Sequence, residues 1–443
     1  MIPGAKTIVG LAATNVSSLF SLRGLEVQPP FFYLYFLVII KYMFNIVFDK
    51  FNQQNDIITL TLLVKSGRRY EKETEYGYSH LLEHTLTLKG SKKFPSQFLS
   101  NFEIEKFGGV VSASTNLERN RFILQCESKN FLKALDVFLD NIFNPIFDEN
   151  IFENEKLVLI NENKIRYKNP ENILVDKIFS SIFGKSEIFT KEKENLILKT
   201  KINSIKNFYQ KHYYPENFIF IFSGTNNYIF KKAGDLINSY FKQNFKNNIL
   251  EKRLPRKINF NSPFNFFYKI NSQIYSIFLY YLLPNISLKQ TICLDLISNF
   301  LGFGQSSLFY QELRFKRGLI YSVFVNTNHK SDISLFLIKT NTSNPKETIE
   351  ILLNLLNNLK ITEKDLNFLK IKTKGLILRL FINPLNKIET IERLWLKNEK
   401  QLNLNVYFKI LEKITIKDLN EIINLINSSK PIIGILGEKQ IYR

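Results

Sequence analysis

Histidine is scarce in this chain of 443 residues: there are four. Two of them, His80 and His84, stand four apart with Glu83 between them, in Ser79-His80-Leu81-Leu82-Glu83-His84. On a helix, positions i and i+4 share one face and i+3 lies beside them. Both imidazoles could therefore reach one ion, with a carboxylate next to it. Zinc takes imidazole and carboxylate ligands, and a catalytic zinc site keeps one position for water. The metal lowers the pKa of that water and a neighbouring carboxylate can take its proton. With two histidines of this helix already on the metal, Glu83 is read as the base, and a third ligand is expected from elsewhere.

The order His-x-x-Glu-His is the inverse of the commoner zincin order and is the inverzincin signature. Candidates for the third ligand lie on a helix predicted over 148–167, which carries Glu149, Glu153, Glu155 and Glu162. Glu155 and Glu162 are seven apart, two turns along one face. Leu157, Val158, Leu159 and Ile160 lie between them, so the stretch is expected to be largely buried. A buried carboxylate needs a partner. A zinc ion would satisfy one, and the free N–H of a ligand histidine the other.

Several elements must position this helix. Met43 to Phe48 and Ile57 to Lys65 read as the strands of a hairpin, closed by a polar turn and ended by Ser66-Gly67. Helices are predicted over 77–90, 95–107 and 129–142. A strand, a turn near Asn116 and a second strand fill Val110 to Glu127. A strand over Asn217 to Phe222 closes at Ser223-Gly224. After a polar stretch, Lys242 to Pro263, the order begins again: strands in Phe266–Leu283, helices over 288–301 and 305–316, a strand pair over 319–340, a helix over 346–358 and a last strand at Pro431–Gly437. Phe218–Gly224 and Pro431–Gly437 are counterparts. The expected fold is α+β, with two similar domains over 43–241 and 264–443, a linker over 242–263 and an atypical N-terminal extension over 1–42.

Composition narrows the function classes. The net charge is +20. Lysine is spread among Asn, Ile and Phe with no compact basic run, finger or RNA-binding signature, so no nucleic-acid partner is expected. Cys126 and Cys293 are the two cysteines, both in apolar segments. They exclude a disulfide framework and a cysteine-based zinc site, and are read as core. Phe31 to Ile40 is continuously apolar but far shorter than the ~20 residues a spanning helix needs. Membrane contact is expected only through this N-terminal segment. The compartment is read as cytoplasmic, with export or membrane association the alternative. His212 reads as a packing or surface residue, His329 as surface and Trp395 as core.

Three segments together resemble the pitrilysin/insulinase superfamily of metallopeptidases, M16: Gly77–His84, Glu155…Glu162, and Leu313-Arg314-Phe315-Lys316-Arg317-Gly318-Leu319-Ile320-Tyr321-Ser322-Val323. The length resembles its mitochondrial-processing-peptidase-like branch. The resemblance runs from about residue 43 to the end. It implies that His80, His84 and Glu162 hold one Zn2+ per chain, that Glu83 is the general base and that Glu155 supports a ligand histidine. It implies that Arg314 and Tyr321 act on the substrate and the oxyanion, a role that guanidinium and phenol donors suit. It implies that Ser112, Ala113 and Ser114 belong to an edge strand that pairs with an extended substrate. Two departures stand there: Ser112 replaces the usual Asn, and Asn120-Arg121 replaces the usual pair. The Gly-rich turn Leu301–Ser307 lacks the ending of a phosphate loop, so nucleotide binding is rejected.

The family fold implies two α+β halves, each a mixed sheet covered by helices, facing each other as a clamshell around a chamber. The expected function is a zinc metalloendopeptidase acting on peptides or unfolded polypeptides. The expected assembly is a self-sufficient monomer, a homodimer or a pair with another M16-like chain. The alternative is a non-catalytic M16-like scaffold or partner subunit.

Overall fold

The computed structural model describes residues 45–49, 56–184, 188–224, 226–245, 258, 265–398 and 404–441. The apolar run 31–40, most of the expected linker and the Trp395 side chain lie outside the described residues. In chain order the first part contains β1 (Asn45–Asp49), β2 (Ile57–Val64), α1 (Tyr78–Leu86), α2 (Gln97–Lys106), β3 (Val110–Thr115), β4 (Asn120–Glu127), α3 (Phe131–Phe143), α4 (Glu149–Arg166), α5 (Pro170–Phe183), α6 (Lys191–Lys199), α7 (Ile202–His212), β5 (Phe218–Ser223) and α8 (Asn227–Asn244). The second contains β6 (Asn265–Lys269), β7 (Tyr275–Pro284), α9 (Leu288–Gly302), a π-helical turn (Tyr310–Phe315), β8 (Ile320–His329), β9 (Ile333–Thr342), α10 (Pro345–Asn357), α11 (Glu363–Leu380), α12 (Pro384–Asn398), α13 (Leu404–Glu412), α14 (Ile416–Ser428) and β10 (Ile432–Gly437).

Each part builds one five-stranded mixed sheet, and the two sheets share a plan. The first runs β1-β5-β2-β4-β3 and the second β6-β10-β7-β9-β8. In each, the outermost pair on one side is parallel (β1 with β5, β6 with β10) and the other pairs are antiparallel. The expected hairpin of the first two strands is not formed, because β5 lies between them. Its six residues, Phe-Ile-Phe-Ile-Phe-Ser, are all buried, and so apolar a strand is driven to the sheet centre, where both faces are covered.

The covering helices explain why the strands do not alternate with polar residues. Phe218, Phe220 and Phe222 of β5 point into a core with α3, α7 and α8, while Ile219 and Ile221 point the other way and meet Ile388 and Ile391 of α12. The second sheet mirrors this. Ile277 and Leu279 of β7 join the core of α9, α11 and α14, while Phe278 and Tyr280 meet Leu174, Ile178 and Ile182 of α5. Each part thus lends one helix to the other part's sheet. Gly434 of β10 belongs to this exchange, since a Cβ there would lie 2.7 Å from Ile178.

Two further expectations need correction. Leu157 and Val158 of α4 are exposed, whereas Leu159 and Ile160 are buried; only one face of that helix meets the core. His329 is buried at the end of β8, its Nδ1 2.9 Å from Ser334 Oγ, because it falls on the same strand face as the buried Thr327. His212 is buried, its ring 4.3 Å from that of Phe208 and tilted by 39°, in keeping with a packing role. Cys126 and Cys293 are both buried free thiols. Among the described residues, no helix is long and apolar enough to cross a membrane.

Candidate metal centre

Helix α1 is amphipathic in the way its motif demands. Leu81, Leu82 and Leu86 enter the core of the first sheet, so His80, Glu83 and His84 fall on the opposite flank. Its N-terminus is fixed by Glu71, whose carboxylate accepts from Gly77 N (3.1 Å) and Ser79 N (2.8 Å), satisfying donors a helix start leaves open. Gly77 has φ +84°, a conformation that glycine adopts without strain. Helix α4 packs along α1, and its N-cap Asp148 accepts from Ile151 N.

Across the α1–α4 groove, Glu162 Oε2 lies 3.5 Å from His80 Nε2 and 3.6 Å from His84 Nε2. Among the described residues, His80, His84 and Glu162 are the one set of three such side chains whose donor atoms converge, all within 4.8 Å of one another. Tetrahedral zinc with bonds of about 2.1 Å separates its ligand atoms by roughly 3.4 Å, so the spacing fits the ion. Glu155 Oε2 lies 2.8 Å from His84 Nδ1. A carboxylate can only accept, so Nδ1 carries the proton and a neutral His84 turns a bare Nε2 toward Glu162. A cation between them, a metal ion or a second ring proton, relieves lone pairs that face each other at this distance. The Glu162 side chain is 48% exposed, which leaves the groove open to solvent on that side.

The surrounding field shifts the two imidazoles in opposite directions. Burial, with help from His84 and Arg68, pushes the His80 imidazole down to about 3, so it is neutral and able to ligate. Burial would lower His84 too, but the bond to Glu155 and the charges of Glu162 and Glu83 outweigh it and raise it. Burial raises the Glu83 carboxyl, offset in part by a hydrogen bond from Thr115. Burial would also raise Glu155, yet His84 and Lys89 hold it below the usual carboxylate range.

Three residues of this site have no role in the sequence reading. Thr115 Oγ1 donates to Glu83 Oε2 at 2.6 Å, Asn120 Nδ2 donates to Thr115 Oγ1 at 2.7 Å, and Lys89 Nζ lies 2.6 Å from Glu155 Oε1. Asn120 stood out only as a departure from a pattern, and no spacing rule points to Lys89 or Thr115.

Ser112, Ala113 and Ser114 lie on β3, the edge strand of the first sheet, paired on one side with Ile123, Phe122 and Arg121. Strand β3 runs beside α1. Arg314 and Tyr321 are brought together. The Arg314 guanidinium lies 4.4 Å over the Tyr321 ring and donates to the Tyr321 carbonyl. Tyr321 is 79% exposed on β8, the edge strand of the second sheet, and neither residue hydrogen-bonds to His80, Glu83, His84 or Glu162.

Comparisons with known proteins identify the family. Residues 47–194 match the family model described as insulinase (peptidase family M16), and residues 200–372 match the peptidase M16 inactive domain. An uncharacterized zinc protease of Rickettsia felis is 27% identical over 399 residues, 87% of this chain and 93% of its own. The zinc protease PqqE of Helicobacter pylori is 27% identical over 358 residues, 76% and 78% of the two chains. A crystal structure of a Helicobacter pylori protease superposes with TM-score 0.74 at 22% identity, covering 89% of this chain and 97% of that one. A peptidase M16 inactive domain structure from Pseudomonas fluorescens does so with TM-score 0.74 at 16% identity, covering 90% and 97%; these two likenesses speak to the fold. With two M16 models matched in order along the chain, the chain belongs to peptidase family M16.

Proposed function

We propose that this chain is a zinc-dependent metalloendopeptidase that cuts peptides or unfolded polypeptides. The observation that carries the reading is the convergence of His80, His84 and Glu162 in one groove, with Glu83 beside them and the free edge of β3 alongside. A Zn2+ ion held by these three residues would supply Lewis acidity and lower the pKa of water at the site. Glu83 accepts a proton from the attacking water and returns it to the leaving amine. Glu155 keeps the His84 proton on Nδ1 and the ring in place. Ser112, Ala113 and Ser114 hold the substrate as an added strand, through backbone N–H and C=O groups that β3 leaves unpaired at a sheet edge. Arg314 and Tyr321 donate to the oxyanion when the second sheet's edge is brought to the substrate, whether within one chain, from a second copy or from another M16-like chain.

The test is zinc content together with cleavage of a quenched fluorescent peptide, for wild type and Glu83→Gln. One zinc per chain, with turnover lost only in the variant, supports the reading. Zinc without turnover in wild type would favour the scaffold or partner-subunit role, and a chain without zinc would remove the assignment of His80, His84 and Glu162.

A further inference from the structure

The geometry points to Thr115 as the positioning residue of Glu83, with Asn120 dictating which way its hydroxyl proton is aimed. This rests on the reading of Glu83 as the base.

The direction of each hydrogen bond follows from what its neighbour is able to do. Asn120 is fully buried. One side of its amide lies 3.0 Å from the Ser79 carbonyl oxygen, which can only accept, so the atom facing it is the Nδ2 nitrogen. The amide oxygen then accepts from the Ser66 hydroxyl on the other side. The second Nδ2 proton points at Thr115 Oγ1, 2.7 Å away. Thr115 is thereby made an acceptor toward Asn120 and must spend its own proton elsewhere. Glu83 Oε2 at 2.6 Å is far better placed for it than the Ser79 carbonyl at 3.5 Å. A reversed Asn120 amide would set two carbonyl oxygens against each other in a site closed to water, leaving buried groups unsatisfied at about 1–3 kcal/mol each.

Glu83 Oε2, which also lies 3.8 Å from His80 Nε2, is therefore held by a donor that cannot turn away. The anchoring also ties the base to the strand proposed to hold the substrate. Thr115 is the last residue of β3 and follows Ser114 directly. A peptide added along β3 would thus be held in register with the oxygen that acts on it. Such alignment is worth most where the reacting atoms must meet within a few tenths of an ångström.

The experiment compares wild type, Thr115→Val and Thr115→Ser as zinc-loaded full chains. Valine keeps the shape and removes the hydroxyl, and serine restores it. Expected are equal zinc content and nearly equal KM in all three, a kcat about 10–100-fold lower for Thr115→Val, and recovery of most of it in Thr115→Ser. Crystal structures of the same proteins read the relay without turnover: one Glu83 rotamer in wild type and Thr115→Ser, and a displaced or split one in Thr115→Val. A Glu83 rotamer unchanged in Thr115→Val, an unchanged kcat in an active enzyme, a loss of zinc parallel to the loss of rate, or no rescue by serine would each overturn the proposal. Failure of the Glu83 reading itself shows differently, as Glu83→Gln turning over like wild type or as a wild type that never turns over.

Discussion

Glu155 stands between His84 and Lys89, with one carboxylate oxygen 2.8 Å from His84 Nδ1 and the other 2.6 Å from Lys89 Nζ. The lysine keeps the carboxylate ionised, and the carboxylate fixes the tautomer and tilt of the imidazole. Partners of this kind are worth about 10–100-fold in metal affinity. Glu155→Gln should weaken zinc binding by that range, measured by competition with a chromophoric chelator. Lys89→Met should act in the same direction and less strongly, because Glu155 then still meets His84. Equal affinity in Glu155→Gln and wild type would mean that the ring is held by packing alone.

The turn between β3 and β4 is gripped by the second part of the chain. Arg119 pairs with Glu392 on α12, Arg121 reaches the same Glu392 at 2.5 Å, and Arg69 pairs with both Glu118 and Asp332. Glu392 and Arg119 are both buried. Glu392→Leu would leave two guanidinium groups without their shared carboxylate, at a cost of about 3–5 kcal/mol in unfolding free energy. Glu389 also pairs with Arg121, but its side chain is 57% exposed, so Glu389→Ala should change stability by less than about 1 kcal/mol. Urea denaturation of the two variants checks the contrast.

The metal helix and the repeat of elements were legible in the sequence because both rest on local spacing. His80, Glu83 and His84 share a helix flank whatever the tertiary fold, and β5 and β10 announce themselves as apolar runs closed by glycine. The exchange of α5 and α12 was not legible. Ile219 and Ile221 meet residues 388 and 391, and Phe278 meets residues 174 and 178, and no local pattern encodes a contact so distant along the chain. The same limit explains the hairpin drawn between β1 and β2, whose true neighbour β5 arrives more than 150 residues after β2. Ser66-Gly67 follows the end of β2, but the reason for the glycine is tertiary. A Cβ on Gly67 would lie 2.3 Å from Arg119 N and 2.4 Å from Glu118 N, within the turn that Glu392 holds.

Lys387 on α12 is fully buried, and burial pushes its ammonium down to about 7, against about 10.4 in an unfolded chain. Below pH 7 the group is charged in both states and its desolvation cost is present in full. Between pH 7 and about 10.4 the unfolded chain binds more protons than the folded one, so this group makes stability rise with pH, by at most about 1.4 kcal/mol per pH unit. Above that window both forms are neutral and the cost is gone. Lys387→Met should therefore gain stability over wild type at pH 6 and lose that advantage by pH 10. Denaturant midpoints at several pH values check it, and parallel profiles would show that Lys387 stays charged throughout.

Zinc removal separates the ligands from the fold that carries them. An ion that binds the folded chain alone adds RT ln(1 + [Zn2+]/Kd) to stability, about 2.7 kcal/mol at a hundred times Kd. Chelation should lower the melting temperature of wild type by the corresponding amount, and restoring zinc should reverse it. Glu162 offers the cleanest variant because its side chain is half-exposed. Glu162→Gln should leave the metal-free melting temperature close to wild type, abolish the zinc-dependent rise and remove turnover. Calorimetry with and without zinc distinguishes this from structural damage, which would lower the metal-free value as well. A zinc-dependent rise that survives in Glu162→Gln would place the third ligand elsewhere than on α4.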